Sequence, residues 1–142
     1  MKEIGQRADV TDEAGNLLLD FTVTQIEVNP QCTSPFEQAP EHGNYLALSL
    51  DVTTASDWDP AESPVFFDSS SWTVIGPDGT TENSSIGNGW SCLGEAVSLP
   101  GQIDPGQHLE GKVVLDTAYT SGAVILRLPG QTSGGWEWTY SS

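Results

Sequence analysis

Positive charge is what this chain has least of: four Lys and Arg residues stand against twenty Asp and Glu among 142, a formal net charge of −16. Such a balance repels a phosphate backbone or an anionic membrane surface, so nucleic acid is excluded as an expected partner. No window approaches the ~18 apolar residues of a membrane span. The amino terminus "MKEIGQRADV" also lacks the apolar run of a signal peptide. If the chain is exported, its leader and any tether are expected upstream, with Met1 an added start, and membrane association is expected only through such an anchor.

Catalytic grammar is scarce as well. No GxSxG elbow, HExxH or SxxK is present, so no nucleophile with a matched base is visible. The only two imidazoles, His42 in "EHGN" and His108 in "PGQH", sit beside turn glycines and read as solvated loop-end residues. Cysteine is limited to Cys32 in "NPQCTSP" and Cys92 in "GWSCLGE". Neither belongs to a CxxC pair or a His-rich cluster, which disfavours zinc held by thiolates. The expectation is a Cys32–Cys92 disulfide, set against two independent buried thiols. Closing a loop of about 60 residues stabilises by roughly 4 kcal/mol in the chain-entropy model, and the bond implies an oxidising compartment.

What is present is strand grammar. The length suits one domain with one core, and fifteen Gly and nine Pro are spread along the chain as punctuation between short segments. In "NYLALSLDVTT", Leu46, Leu48, Leu50 and Val52 alternate with Tyr45, Ala47, Ser49, Asp51 and Thr53, the period of a half-buried strand. In "LLLDFTVTQIEVN", Leu17, Leu19, Phe21 and Val23 share one phase, whereas Ile26 and Val28 are shifted by one residue. Either a β-bulge near Thr24 and Gln25 restores the phase, or the strand twists so that its halves face different sheets.

Further strands are expected at Pro64–Phe67, Trp72–Ile75, Leu109–Leu115, Ala123–Leu128 and Trp136–Tyr140, with at most one helical turn in "SPFEQAPE". The "DPG" turn at Asp104–Gly106 leads into a strand whose Leu109, Gly111, Val113 and Leu115 line one face. The fold class is therefore all-β: a single-domain, immunoglobulin-like antiparallel β-sandwich of about seven to eight strands. Residues 1–16 are expected as an N-terminal extension or linker remnant and 17–142 as the sandwich. The expected core comprises the Leu46–Val52 face, Leu109, Val113, Leu115, Trp72, Trp138, Phe21 and Val23.

Two stretches are candidates for function. The acidic loop "SDWDPAESP" offers Asp57, Asp59 and Glu62 at spacings that can converge on Ca²⁺, although Pro60 breaks the run and no distal bidentate carboxylate is in register, so a solvated loop is the plainer reading and no cofactor is expected. Trp58, between Asp57 and Asp59, is the candidate partner-binding residue: either its ring folds back as a lid on the core, or it is an aromatic anchor within an acidic rim. Trp136, Trp138 and Tyr140 share one face of "GGWEWTY", which serves either a sugar platform or, more simply, the inner face of a last strand.

The order of "FTVTQIEVN", "GNYLALSLDVTT", "FFDSSSWTVIGPDGT", "LPGQIDPGQHLEGKVVLD" and "GWEWTY" resembles an uncharacterised family of immunoglobulin-like domains. That family occurs in secreted proteins and lipoproteins of Gram-positive bacteria, especially actinobacteria, and is similar in fold to the mycobacterial immunoprotective extracellular antigen. The resemblance implies an extracellular or cell-surface location and supplies no catalytic residues, so no catalytic position is assigned. The expected function is a non-catalytic envelope module that binds or presents an unknown partner. The alternatives are a hydrolase using loop carboxylates and a passive spacer.

Overall fold

The computed structural model describes residues 3–11, 15, 17–35, 37–57, 71–82, 86–93, 98–99, 103–126 and 136–141. Seven strands are formed among them: β1 (Arg7–Thr11), β2 (Leu17–Val28), β3 (Asn44–Thr54), β4 (Trp72–Ile75), β5 (His108–Thr117), β6 (Ser121–Leu126) and β7 (Trp136–Ser141). They build a four-stranded sheet in the order β1-β2-β3-β5 and a three-stranded sheet in the order β4-β6-β7, with every pairing antiparallel. This is the expected all-β sandwich. The expected strand at Pro64–Phe67 lies outside the described residues.

The phase shift in the long second strand is resolved by a bulge. Pairing runs Val23↔Leu50 and then Gln25↔Ser49, so Thr24 is the extra residue. Beyond it Ile26 faces Leu48 and Val28 faces Leu46, which returns both to the core side, where they pack against the buried cluster. One inserted residue thus keeps a 12-residue strand on one face of one sheet.

Between the sheets, Phe21, Val23, Leu46, Leu48, Leu50, Val52, Val113 and Leu115 meet Trp72, Val74, Val124, Leu126, Trp138 and Tyr140. The rings interlock: Phe21 stands edge-on to Trp136 at 5.2 Å between centroids, and Trp138 lies 6.0 Å from Phe21 and 5.7 Å from Trp72. Such pairs add about 0.5–1.5 kcal/mol each beyond the area they bury. Leu109, expected in the core, is half-buried at its margin, close to the start of β5.

Two features depart from the sequence reading. β1 lies within the segment expected as an extension, and pairs with β2 from Arg7↔Thr22 to Val10↔Leu19, burying Ala8 and Val10. Tyr45 and Ala47, on the polar side of the β3 alternation, are 4% and 1% exposed, because loops cover that end of the outer face.

The "DPG" turn behaves as its residues dictate, with Gly106 at φ +73°. Thr54 fastens it to the end of β3: its hydroxyl donates to the Asp104 carbonyl at 2.9 Å and accepts the Gln107 N–H at 2.6 Å.

Tyr140 donates its hydroxyl to the Tyr119 carbonyl at 2.9 Å. Burial, with a smaller push from the Glu82 charge, raises its pKa from 10.0 to about 12. The folded state therefore holds this proton more tightly than the unfolded one, and the associated stability is complete below pH 10 and lost as pH rises through 12. The stability advantage of the wild type over Tyr140→Phe, followed by urea denaturation, is expected to be flat below pH 10 and to shrink from there to pH 12. A difference that stays constant across that window would show that the phenol is not the titrating group.

Candidate functional site

The outer face of the four-stranded sheet is divided in two. At one end the segments 29–35, 37–43 and 86–93 fold over β3 and β5, covering Tyr45, Ala47, Val114 and Asp116. Cys32 and Cys92 are joined by a disulfide between these segments, as expected. The Cys92 carbonyl accepts the N–H groups of Thr33 at 2.8 Å and Ser34 at 3.1 Å, so the bond is flanked by backbone pairing.

Beneath this cover lies a carboxylate with no exposed surface. Asp116 accepts the backbone N–H of Glu41 at 2.6 Å and of Asn88 at 2.9 Å on Oδ2, and that of His42 at 2.8 Å on Oδ1. One buried charge therefore fixes both loops, through hydrogen bonds that are stronger for being charge-assisted. Around it, Tyr45 donates its hydroxyl to the Gln38 carbonyl at 2.5 Å, Ser91 donates to the Asn88 carbonyl at 2.7 Å, and Asn88 Nδ2 donates to the Ala39 carbonyl at 3.0 Å.

The close approach is possible because of glycine. A Cβ on Gly89 would lie 2.3 Å from the Val114 carbonyl oxygen, and one on Gly87 would lie 2.4 Å from Asp116 Oδ2. Residues Gly89–Ser91 form a single 3-10 turn pressed onto β5.

Trp90 projects from the top of that turn and is 64% exposed, the most exposed large hydrophobic side chain among the described residues; Ile86, at the start of the same loop, is 43% exposed. Glu37 and Glu41, on the loop bonded to this turn, are exposed too. Trp90 thus has the aromatic ring and loop setting that the sequence reading attached to Trp58, with two acidic residues on the adjoining loop. Trp58 and Asp59 lie outside the described residues, as does Glu62; Asp57 is exposed just beyond β3. The signal for Trp90 was available in "NGWSC", a large ring in a glycine turn two residues from a cystine.

At the other end of the outer face the sheet is open. Asp51 and Glu110 are direct cross-strand partners in β3 and β5, and His108 stands opposite Thr53. His108 Nε2 lies 2.6 Å from Asp51 Oδ1, and the ligand atoms of Asp51, His108 and Glu110 are all within 4.8 Å of one another. His42, by contrast, enters the structure through its backbone N–H, which Asp116 accepts.

The aromatic run at the end of the chain faces inward. Trp138 is fully buried, Tyr140 is 7% exposed, and Trp136 packs on Phe21. A shallow groove of about 420 Å³ is lined by Ile4, Ile26, Thr139, Tyr140 and Ser141, without a carboxylate or imidazole.

Replacing Asp116 by Ala would leave three part-buried backbone N–H groups without their acceptor. The expected loss is about 3 kcal/mol or more by chemical denaturation. A loss below about 1 kcal/mol would mean that water satisfies these donors and that the loops do not depend on the carboxylate.

No protein-family profile matches the sequence, and no curated protein does either. Among solved structures, the chain matches the crystal structure of MPT63, a secreted protein from Mycobacterium tuberculosis, with a TM-score of 0.61 and 16% identity over 99% of this chain and 95% of that one. The chain is therefore similar to MPT63 in fold, along nearly the whole length of both.

Proposed function

We propose that this chain is a non-catalytic extracellular or cell-envelope module that binds a partner through the Trp90 turn. The observation that carries the reading is a tryptophan 64% exposed on a turn whose backbone is fixed from below by a disulfide and a buried carboxylate. An apolar ring held in one place loses little freedom on binding, and tryptophan is enriched among residues that dominate binding energy. Glu37 and Glu41 on the adjoining loop, within a chain of net charge −16, favour a basic or amphipathic partner. The disulfide fits an oxidising compartment, and the likeness in fold to a secreted protein is consistent with the same setting.

A spacer would expose no such ring on a braced turn. A hydrolase with tryptophan rings holding a sugar has less support, since Trp138 and Tyr140 are enclosed between the sheets, away from the carboxylates on the outer face.

The test is parallel capture from an envelope extract of the parent organism with the immobilised wild type, Trp90→Ala and Ile4→Ala, the last altering an exposed apolar residue elsewhere. Trp90→Ala is expected to keep its stability within about 0.5 kcal/mol of the wild type. It should lose a basic protein that the other two retain, and whose retention weakens as salt is raised. Equal recovery by all three would remove Trp90 from the interface, and a large loss of stability would make the ring a structural lid.

A further inference from the structure

We infer that Asp51, His108 and Glu110 form a surface site for a divalent transition ion of the zinc class, with protein ligands on three sides and the remaining positions open. The inference is independent of the Trp90 reading, and rests on register, charge and donor chemistry.

The antiparallel pairing sets Asp51 directly opposite Glu110, so two carboxylates share one cross-strand position on the solvent side of the sheet. Like charges placed opposite one another destabilise a sheet. His108 bonds to Asp51 at 2.6 Å. The Glu110 carboxylate has no hydrogen bond or ion pair among the described residues, and neither has the Lys112 ammonium, two positions further along β5. A cation held between the two carboxylates and the imidazole removes the repulsion that the pairing imposes.

The donors select the class of ion. One imidazole nitrogen and two carboxylates suit zinc and its neighbours, whereas calcium takes six to eight oxygens and has no use for the ring. Zinc bonds of about 2.0–2.2 Å require donor atoms roughly 3.3–3.6 Å apart in a tetrahedron. The three donors are already within 4.8 Å, and the His108 and Asp51 side chains are 59% and 41% exposed, so rotation about side-chain bonds can close the gap. Their Cα atoms are held by β3, an inner strand of the four-stranded sheet, and by its neighbour β5 at the end of the pairing order, and sites on strands are better fixed than sites on loops. Three protein ligands leave at least one position for water or for a donor from another molecule.

The experiment is titration of the EDTA-treated full chain with zinc chloride, followed by calorimetry and by amide chemical shifts, and repeated on His108→Ala, Glu110→Gln and His42→Ala. The wild type and His42→Ala should bind one zinc ion with equal affinity and with shifts centred on residues 49–53 and 108–112. His108→Ala and Glu110→Gln should weaken that binding about tenfold or more, while thermal unfolding shows both variants folded. Calcium chloride should bind there more weakly than zinc. Zinc affinity that is unchanged by His108→Ala, shifts spread over the acidic surface, or tighter binding of calcium at this cluster would each overturn the inference.

Discussion

A carboxylate with no access to water must find its partners where it lies, and the arrangement of this protein's outer face follows from where Asp116 finds them. Its three donors are backbone N–H groups on two loops that are distant in sequence, at Glu41 and His42 on one and Asn88 on the other. Backbone donors fix the path of the chain, where side-chain donors would fix only a rotamer. The consequence is that both loops lie flat on β5, over a strip of sheet from which Gly87 and Gly89 withhold any Cβ. The Cys32–Cys92 bond holds the same two segments together covalently. It limits the separation of the loops in the unfolded chain, and Asp116 determines how they sit in the folded one.

This cover is why the two ends of one sheet face behave differently. Under it, Tyr45, Ala47 and Val114 form a small second core on the side of the sheet that the alternation assigns to solvent. Beyond it, Asp51, His108 and Glu110 stand in the open with their spacing dictated by strand register. The first end offers a rigid platform for an apolar side chain, and the second gathers charge. Both features belong to this chain's own side chains, and a likeness at 16% identity carries the backbone arrangement without carrying either.

The sequence made the sandwich legible because its evidence is local. Period-two alternation marked β3 and β5, the phase slip between Val23 and Ile26 marked the bulge, and the turn chemistry of Asp104–Gly106 marked the start of β5. β1 escaped because "RADVT" is five residues long with a single large apolar side chain, and exists as a strand only through pairing with β2. Burial of Tyr45 and Ala47 was illegible for a different reason: it depends on loops from elsewhere in the chain. The cluster of Asp51 with Glu110 needs the β3–β5 register, which alternation restricts to one parity without choosing among the offsets that remain. Among the tryptophans, the sequence reading singled out Trp58 and passed over Trp90, whose exposure depends on how the 86–93 segment packs onto β5.

That exposure bears on function because the neighbours of Trp90 are all accounted for by structure. Cys92 is in the disulfide, Asn88 bonds to Asp116 and to Ala39, Ser91 is buried and bonded to Asn88, and Gly89 is required by the contact with Val114. Each would be selected by the fold with no partner present. Trp90 is different: its ring contributes little to a core from which it points away, and any small polar residue would satisfy the turn at less cost in exposed apolar surface. Isolated exposed apolar residues are ordinary on protein surfaces, and here the exposed ring stands on a turn held by a disulfide and by hydrogen bonds to a buried carboxylate. Under the proposed reading, the rigidity beneath the ring lowers the cost of binding, since an anchor already held in its bound position gives up less entropy when a partner closes over it.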